Sequence, residues 1–300
     1  LGYIPLLVVR LSEDDNIHII ELAGKARVII KNGKVVEVGE PVVRSCPLWK
    51  DLFELEAFTK EFIRDRVQRL MIDKRGLFTE RRSFETPPEV DFGVSEMMMN
   101  ACEDGLIDVA VEVSDGAGTV IVNDPELIEG IAGHIPGVIK TSPIKNVIDK
   151  LEARGAVVLD PATARIDQVD GVKRAIELGH KKIGVSVVFV EDARRLRELE
   201  EETGSAITIF AVHTTGLTKA EVEGMVKYVD IITACASDSI REIAGRQARI
   251  QIGVKIPLFA MTRRGKRIIL NRALHISKTL LVQGQDLPLR SDTEPYPLSE

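Results

Sequence analysis

The chain has 300 residues, 44% of them hydrophobic and 29% charged, with 46 acidic against 40 basic side chains and a net charge of −6. That is enough apolar material for one large α/β domain or two smaller ones. The acidic balance argues against a general nucleic-acid binder, although a local basic patch would still suit a phosphate or carboxylate, and no run reaches the roughly 18 apolar residues of a membrane-spanning helix, so no membrane partner is expected.

The opening apolar stretch Ile4 to Val9 lacks a positive leading region and is broken by Pro5, so it reads as a strand rather than a secretion signal. Residues 17 to 38 alternate short apolar runs with turns, and Asn32-Gly33 between Arg27-Val28-Ile29-Ile30 and Val35-Val36-Glu37-Val38 predicts a hairpin, because both residues tolerate the positive φ of a type I′ turn. Pro47 suits a first helical position, which makes Cys46 the expected N-cap of a long helix. Trp49, Leu52, Phe53, Phe62, Ile63, Val67, Leu70 and Met71 give that helix an apolar face, and Gly76 ends it. Residues 77 to 92 read as an exposed connection, and 93 to 104 as a second helix. Asp108 to Val113 and Thr119 to Val122 are strand-like, joined by Ser114-Asp115-Gly116-Ala117-Gly118.

From Ser142 onward helices alternate with β-branched runs, the pattern of parallel βαβ units. Helices are expected from Ser142 to Gly155, over about 170 to 178, from about 191 to Gly204, after a Thr218/Glu221 capping box, and after Ser239/Glu242. Strands are expected at Ala156 to Leu159, Ile183 to Val190, Ile207 to Val212, Ile231 to Ala234 and Ile256 to Met261. The fold class read from this order is α/β: a C-terminal parallel βαβ sheet, doubly wound and Rossmann-like, with an N-terminal α+β portion that begins in a β-hairpin. Residues 1–140 form the mixed portion and 141–280 the parallel one. Residues 281–300, with Pro288, Pro295 and Pro297 among charges, are expected to be a disordered tail.

Ligands of parallel sheets bind beyond the carboxyl ends of the strands, where helix N-termini carry partial positive charge. The residues there are the candidates: Asp160, Arg165, Asp167 and Gln168 after one strand, His213, Thr214 and Thr215 after another, and Cys235 and Ser237 after a third. Many Ser, Thr and Asp at such places are merely helix caps. His213 and Cys235 fall outside the Ser, Thr and Asp set that this explanation covers, so they are the candidate acid/base and the candidate nucleophile. Arg165 is the candidate anion clamp.

Cys46, like Cys235, precedes a helix. Should the two meet, they could form a redox pair or hold a metal or an iron–sulfur cluster with a further ligand. Cys102 shares a helix face with Met97, Met98 and Ala101 and reads as core. Three cysteines without a CxxC pair suit a reducing cytoplasm. No HExxH or paired-His spacing supports zinc. Asp115-Gly116-Ala117-Gly118 is neither a P-loop nor a dinucleotide fingerprint and reads as a glycine hairpin, from which Asp115 could still project into a site. Arg263, Arg264, Lys266 and Arg267 form the densest basic cluster, with solvated surface as the default reading.

Several motifs occur together: Asn32-Gly33-Lys34-Val35-Val36, Cys46-Pro47-Leu48, Ser114-Asp115-Gly116-Ala117-Gly118-Thr119, Ala164-Arg165-Ile166-Asp167-Gln168-Val169, His213-Thr214-Thr215-Gly216 and Thr233-Ala234-Cys235-Ala236-Ser237. In this order they resemble the methanogenesis marker protein 8 family, a domain of unknown function, over roughly residues 17 to 278. The resemblance implies a cytoplasmic protein of anaerobic metabolism, associated with methyl-coenzyme M reductase, its activation or its cofactors.

Two functions are therefore expected. The first is binding of an anionic small molecule or cofactor at the strand-end loops, with thiolate and imidazole chemistry at Cys235 and His213. The second is a non-catalytic assembly factor that docks on a methanogenesis protein complex through the Trp49 to Met71 helix and an acidic surface.

Overall fold

A computed structural model describes residues 16–46, 49–50, 54–290 and 292. The apolar stretch at 4–9, Pro47, Leu52, Phe53, and Pro295 and Pro297 of the expected tail lie outside the described residues.

Strands β1 (Ile17–Leu22), β2 (Ala26–Lys31) and β3 (Lys34–Val38) are joined by a later strand, β6 (Gly137–Lys140), in an antiparallel sheet of order β3-β2-β1-β6. The hairpin turn is as expected: Asn32 and Gly33 have φ of 51° and 72°. Strand β6 has only four residues and follows Pro136, so its local sequence pattern does not mark it as a strand. What makes it a strand is its pairing with β1, Ile20 opposite Val138 and Glu21 opposite Gly137.

One face of this small sheet is covered by α1 (Lys60–Asp65), which runs on as a π-helical segment, Arg66–Lys74. Ile63, Val67 and Met71 of this helix pack in one core with Ile20, Val28 and Ile30. The single helix expected from Trp49 to Met71 is thus in two pieces. Positions 49 and 50 are helical, and the Cys46 carbonyl closes the turn by accepting from the Lys50 amide at 2.9 Å. Glu54 then takes a left-handed backbone (φ 53°), and Thr59 caps α1 afresh, its Oγ1 accepting from the Phe62 amide at 3.1 Å. The aromatic residues that suggested one continuous stripe instead form a local cluster, with Trp49 edge-on to Phe58 and Phe62 at 5.5 and 5.9 Å.

The large sheet has the order β11-β12-β10-β9-β8-β4-β5-β7. Its centre is four parallel strands, β4 (Val109–Ser114), β8 (Lys182–Val187), β9 (Ala206–Ala211) and β10 (Ile231–Thr233). Antiparallel strands extend both sides: β5 (Gly118–Val122) and β7 (Val157–Val158) on one, β12 (Leu258–Ala260) and β11 (Ile250–Ile252) on the other. The fold is α/β, with helices on both faces of a mixed sheet.

One face carries α5 (Gln168–Glu177), α6 (Val190–Thr203), α7 (Lys219–Tyr228) and α8 (Asp238–Gln247), which bury Val172, Leu196, Met225 and Ile240 against Val185 and Ile209. The other carries α2 (Val94–Glu103), α3 (Pro125–Ala132), α4 (Lys145–Ala153) and α9 (Arg263–Leu274), which bury Met97, Ile128, Val147 and Ile268 with Val120 and Phe210. The capping box at Thr218 and Glu221 starts α7 and the left-handed Gly204 ends α6, both as expected. Helix α8 is capped by Ser237, whose Oγ accepts from the Ile240 amide at 3.3 Å, rather than by Ser239.

The segment read as an exposed connection is partly buried: Leu77, Phe78, Arg82 and Phe84 are all core residues. Arg82 donates from Nε to Asp115 Oδ1 at 2.8 Å, and the Phe78 amide donates to Asp115 Oδ2 at 2.6 Å. A buried ion pair thus fixes this segment against the β4–β5 hairpin, a long-range contact with no signature in local periodicity.

Candidate functional site

The loops after β9 and β10 are tied into one piece. Thr214 Oγ1 donates to the Thr233 carbonyl at 2.6 Å, Thr233 Oγ1 donates to the Ala211 carbonyl at 3.2 Å, and the Ala236 amide donates to Thr215 Oγ1 at 3.3 Å. Beneath them Arg241, only 1% exposed, donates from Nη1 to the carbonyls of Cys235 and Ser237 at 2.8 and 3.0 Å, and from Nη2 to the Lys255 carbonyl at 3.1 Å. A buried guanidinium making several carbonyl bonds is an anchor, because each bond lost would leave a desolvated polar group. It holds the Cys235 peptide in place. The Cys235 Sγ lies 3.5 Å from Thr233 Oγ1.

These loops form one wall of a cavity of about 290 Å³, to which they contribute His213, Thr215, Cys235 and Ala236. The facing wall comes from the small sheet: Glu21 and Leu22 at the end of β1, the Gly24-Lys25 turn, then Val43, Cys46, Trp49 and Phe58. Ile135, Pro136 and Ile256 complete the lining. The turn is tight because the amides of Val42 and Val43 both donate to the Gly24 carbonyl, at 2.7 and 2.9 Å. A Cβ on Gly24, whose φ is 69°, would lie 2.6 Å from the Val43 carbonyl oxygen, so this position needs glycine. Lys25 follows with its amine donating to the Thr215 carbonyl, a direct tie between the two walls.

Seven non-glycine residues among those described have positive φ, and three of them line this cavity: Lys25 at 61°, His213 at 52° and Cys235 at 44°. Histidine is among the types that enter this region more readily, but lysine and cysteine are not, so Lys25 and Cys235 each cost on the order of 1–3 kcal/mol that their surroundings must offset. The strain falls on the residues of the cavity that carry an amine, an imidazole and a thiol.

Electrostatics at the cavity follow from dehydration. His213 lines the cavity with part of its surface exposed, and dehydration by the atoms packed around it pushes its imidazole down to about 4, so it is neutral at pH 7. Burial raises the Glu21 carboxyl above its ordinary value, opposed by the charges of Lys25 and Arg27. The rest of the lining is largely aliphatic and aromatic, with Trp49 and Phe58 as the large flat surfaces.

The other residues singled out in the sequence lie elsewhere. Thr214 and Ser237 are fully buried and spend their hydroxyls on the Thr233 carbonyl and the α8 cap. Asp115 is buried in its pair with Arg82 and does not line this cavity. Asp160 Oδ1 accepts from the amides of Ala162 and Thr163, both at 3.1 Å, a local turn whose hydrogen bonds with Thr163 lower its pKa. Asp167 caps α5, and Gln168 bridges Thr119, Val111 and Ser186 inside the sheet.

Arg165, expected to clamp an anion, is engaged with Asp167 and Asp170 at 2.7 and 2.9 Å. The cation that does line the cavity, Lys25, was missed because its only local signal is a Gly-Lys turn between strands. Arg264 of the basic cluster is likewise held by Glu200 at 2.7 Å. Cys102 packs on the core, its thiol pushed up to about 11 by burial and by Asp108 and Asp124.

Cys46 and Cys235 line the same cavity. Among the described residues, no three His, Cys, Asp or Glu side chains come together as a metal-binding group, so the donors for the expected metal or iron–sulfur cluster are not assembled there. No helix of the described residues is long and apolar enough to cross a membrane.

Fold and cavity together define an α/β protein in which a small antiparallel sheet closes over the carboxyl ends of parallel strands, around a pocket bearing two thiols, an imidazole and an amine. A family model described as an uncharacterized protein conserved in archaea (DUF2099) matches residues 18–274, and the chain belongs to that family. It is similar to the Uncharacterized protein MJ0054 of Methanocaldococcus jannaschii, at 45% identity over 282 residues that span 94% of this chain and 99% of the relative.

Proposed function

We propose that the chain binds a small anionic metabolite in the cavity between its two sheets, with Cys235 as nucleophile and His213 as acid or base. The observation that carries this reading is the left-handed backbone at Lys25, His213 and Cys235, because strain of this kind persists where positioning of the side chain matters. The volume, about 290 Å³, suits a metabolite rather than a polymer. Lys25 supplies the charge partner for an acidic group, Trp49 and Phe58 pack its apolar portion, and the neutral imidazole has the unprotonated form a base needs, with a proton affinity that dehydration reduces. The resemblance of the sequence motifs to the methanogenesis marker protein 8 family supports a metabolite of anaerobic one-carbon metabolism and a cytoplasmic location as part of this reading.

The assembly-factor reading has less support. Of its two supports, the long helix and the acidic surface, the helix is already engaged, because Ile63, Val67 and Met71 spend its apolar face on the protein's own small sheet.

Mass spectrometry under non-denaturing conditions tests the proposal on protein purified anaerobically from its native host. A bound small molecule is expected in the natural protein, lost in Lys25→Glu and retained in Arg165→Ala. Retention in Lys25→Glu, or loss in both variants, would remove the cavity from the argument.

A further inference from the structure

Two of the three cysteines reach the same cavity from opposite walls: Cys46 from the segment that packs on the small sheet, and Cys235 from the loop after β10. A single nucleophilic attack needs one thiol, so the second requires its own account. Metal binding is the usual alternative for paired thiols, and the grouped donors it needs are absent among the described residues. We propose that the cavity is a thiol–disulfide exchange site for a small organic disulfide bearing an acidic group. This rests on the cavity reading above and specifies its substrate class.

The step balances without an outside reductant. The Cys235 thiolate attacks one sulfur of the disulfide, forming a mixed disulfide and releasing the first organic thiolate. Cys46 then attacks the Cys235 sulfur, forming a Cys46–Cys235 disulfide and releasing the second. The two protons given up by the attacking thiols end on the two released thiolates. The protein dithiol loses two electrons and the substrate gains them. In reverse, the oxidised protein joins two small thiols. The Lys25 amine on the cavity wall selects an acidic substrate, and the aliphatic and aromatic lining accepts its carbon chain.

Three features make the site testable. Trp49 is the single tryptophan of the sequence and lines the cavity, so its fluorescence reports occupancy. Cys102, outside the cavity and with its thiol raised to about 11, is an internal reference for unassisted reaction. A Cys46–Cys235 bond requires the two Cα atoms to come within about 7 Å, so its formation is a strict geometric readout.

The reduced full chain is incubated anaerobically with 3,3′-dithiodipropionate or, separately, with the cationic disulfide cystamine. Cysteine states are read by peptide mass mapping after alkylation. Binding of suberate, a sulfur-free analogue of the anionic probe, is followed by Trp49 fluorescence. With dithiodipropionate, two equivalents of 3-mercaptopropionate and a Cys46–Cys235 disulfide are expected, at least about tenfold faster than modification of Cys102 and faster than with cystamine. Cys46→Ser should stop at the mixed disulfide on Cys235.

Suberate binding together with a persistent mixed disulfide in the natural protein, or with unreacted cysteines, overturns exchange while leaving the cavity reading intact. Equal rates with both probes overturn the acidic substrate class. No suberate binding, with Cys235 reacting no faster than Cys102, overturns both readings.

Discussion

Gly137 of β6 backs onto the imidazole of His213: a Cβ at position 137 would stand 3.4 Å from its Cγ and 3.5 Å from its Nδ1. A short edge strand of the small sheet therefore sets how far the ring can swing toward that sheet. A methyl group fits at ordinary contact distance, so Gly137→Ala should change stability by less than about 1 kcal/mol and leave suberate quenching of Trp49 unchanged. Gly137→Leu must displace the ring into the cavity and should weaken that binding at least about tenfold, roughly 1.4 kcal/mol. Equal binding by the two variants would show that the ring does not border the ligand.

The left-handed backbone at Cys235 predicts a conflict between stability and function. Glycine adopts φ near 44° without the Cβ clash, whereas alanine keeps it. Cys235→Gly should therefore be more stable than Cys235→Ala by about 1 kcal/mol in urea denaturation, although both lack the thiol. Equal stabilities would mean that the loop relaxes when the sulfur is removed, and the strain could then not be charged to this position.

Much of the site was legible in the sequence and part of it was not, for a physical reason. His213 and Cys235 stand at strand ends in a βαβ pattern, and both facts are local, so periodicity was enough to find them. Their shared cavity depends on Lys25 from the small sheet and on Trp49 and Phe58 from the segment packed on it, residues more than about 150 positions away in the chain, whose approach is a tertiary event that spacing does not encode. Arg165 misled because a lone arginine near a helix start looks like an anion clamp until its neighbours Asp167 and Asp170 take the guanidinium. The break near Glu54 was hidden for a related reason: an aromatic cluster and a helical stripe can share the same spacing.

The buried pair of Arg82 and Asp115 should govern stability without touching the cavity. Both side chains are nearly inaccessible, and Arg82 Nη2 also donates to the Gly130 carbonyl at 2.9 Å. Asp115→Asn leaves the guanidinium charged and unpaired in the interior, a loss of about 3–5 kcal/mol. Thermal or urea unfolding should show it. A loss below about 1 kcal/mol would mean that water reaches the pair.

Two kinds of buried group should limit stability from opposite sides of a mildly acidic window. Glu112 of β4 is 5% exposed, accepts from Ser186 Oγ at 2.8 Å, and is pushed up to about 7 by burial. Its folded-state value lies above its unfolded one, so its contribution is fully present below about 4.5 and is lost as the pH rises through about 7. His18 is inaccessible, with Nδ1 2.6 Å from Thr141 Oγ1, and burial lowers it to about 4. Its contribution is present above about 6.5 and is lost as the pH falls through about 4. Unfolding free energy should therefore peak between these limits, at mildly acidic pH. Glu112→Gln keeps an acceptor for Ser186 but cannot ionise, so the loss between pH 5 and pH 8 should shrink by about 2–3 kcal/mol. The test is that difference, measured by urea denaturation at the two pH values in both proteins. It is insensitive to any uniform cost of the substitution, and an unchanged slope would place the titrating carboxyl elsewhere, with Glu129, also raised to about 7 by burial, the next to examine.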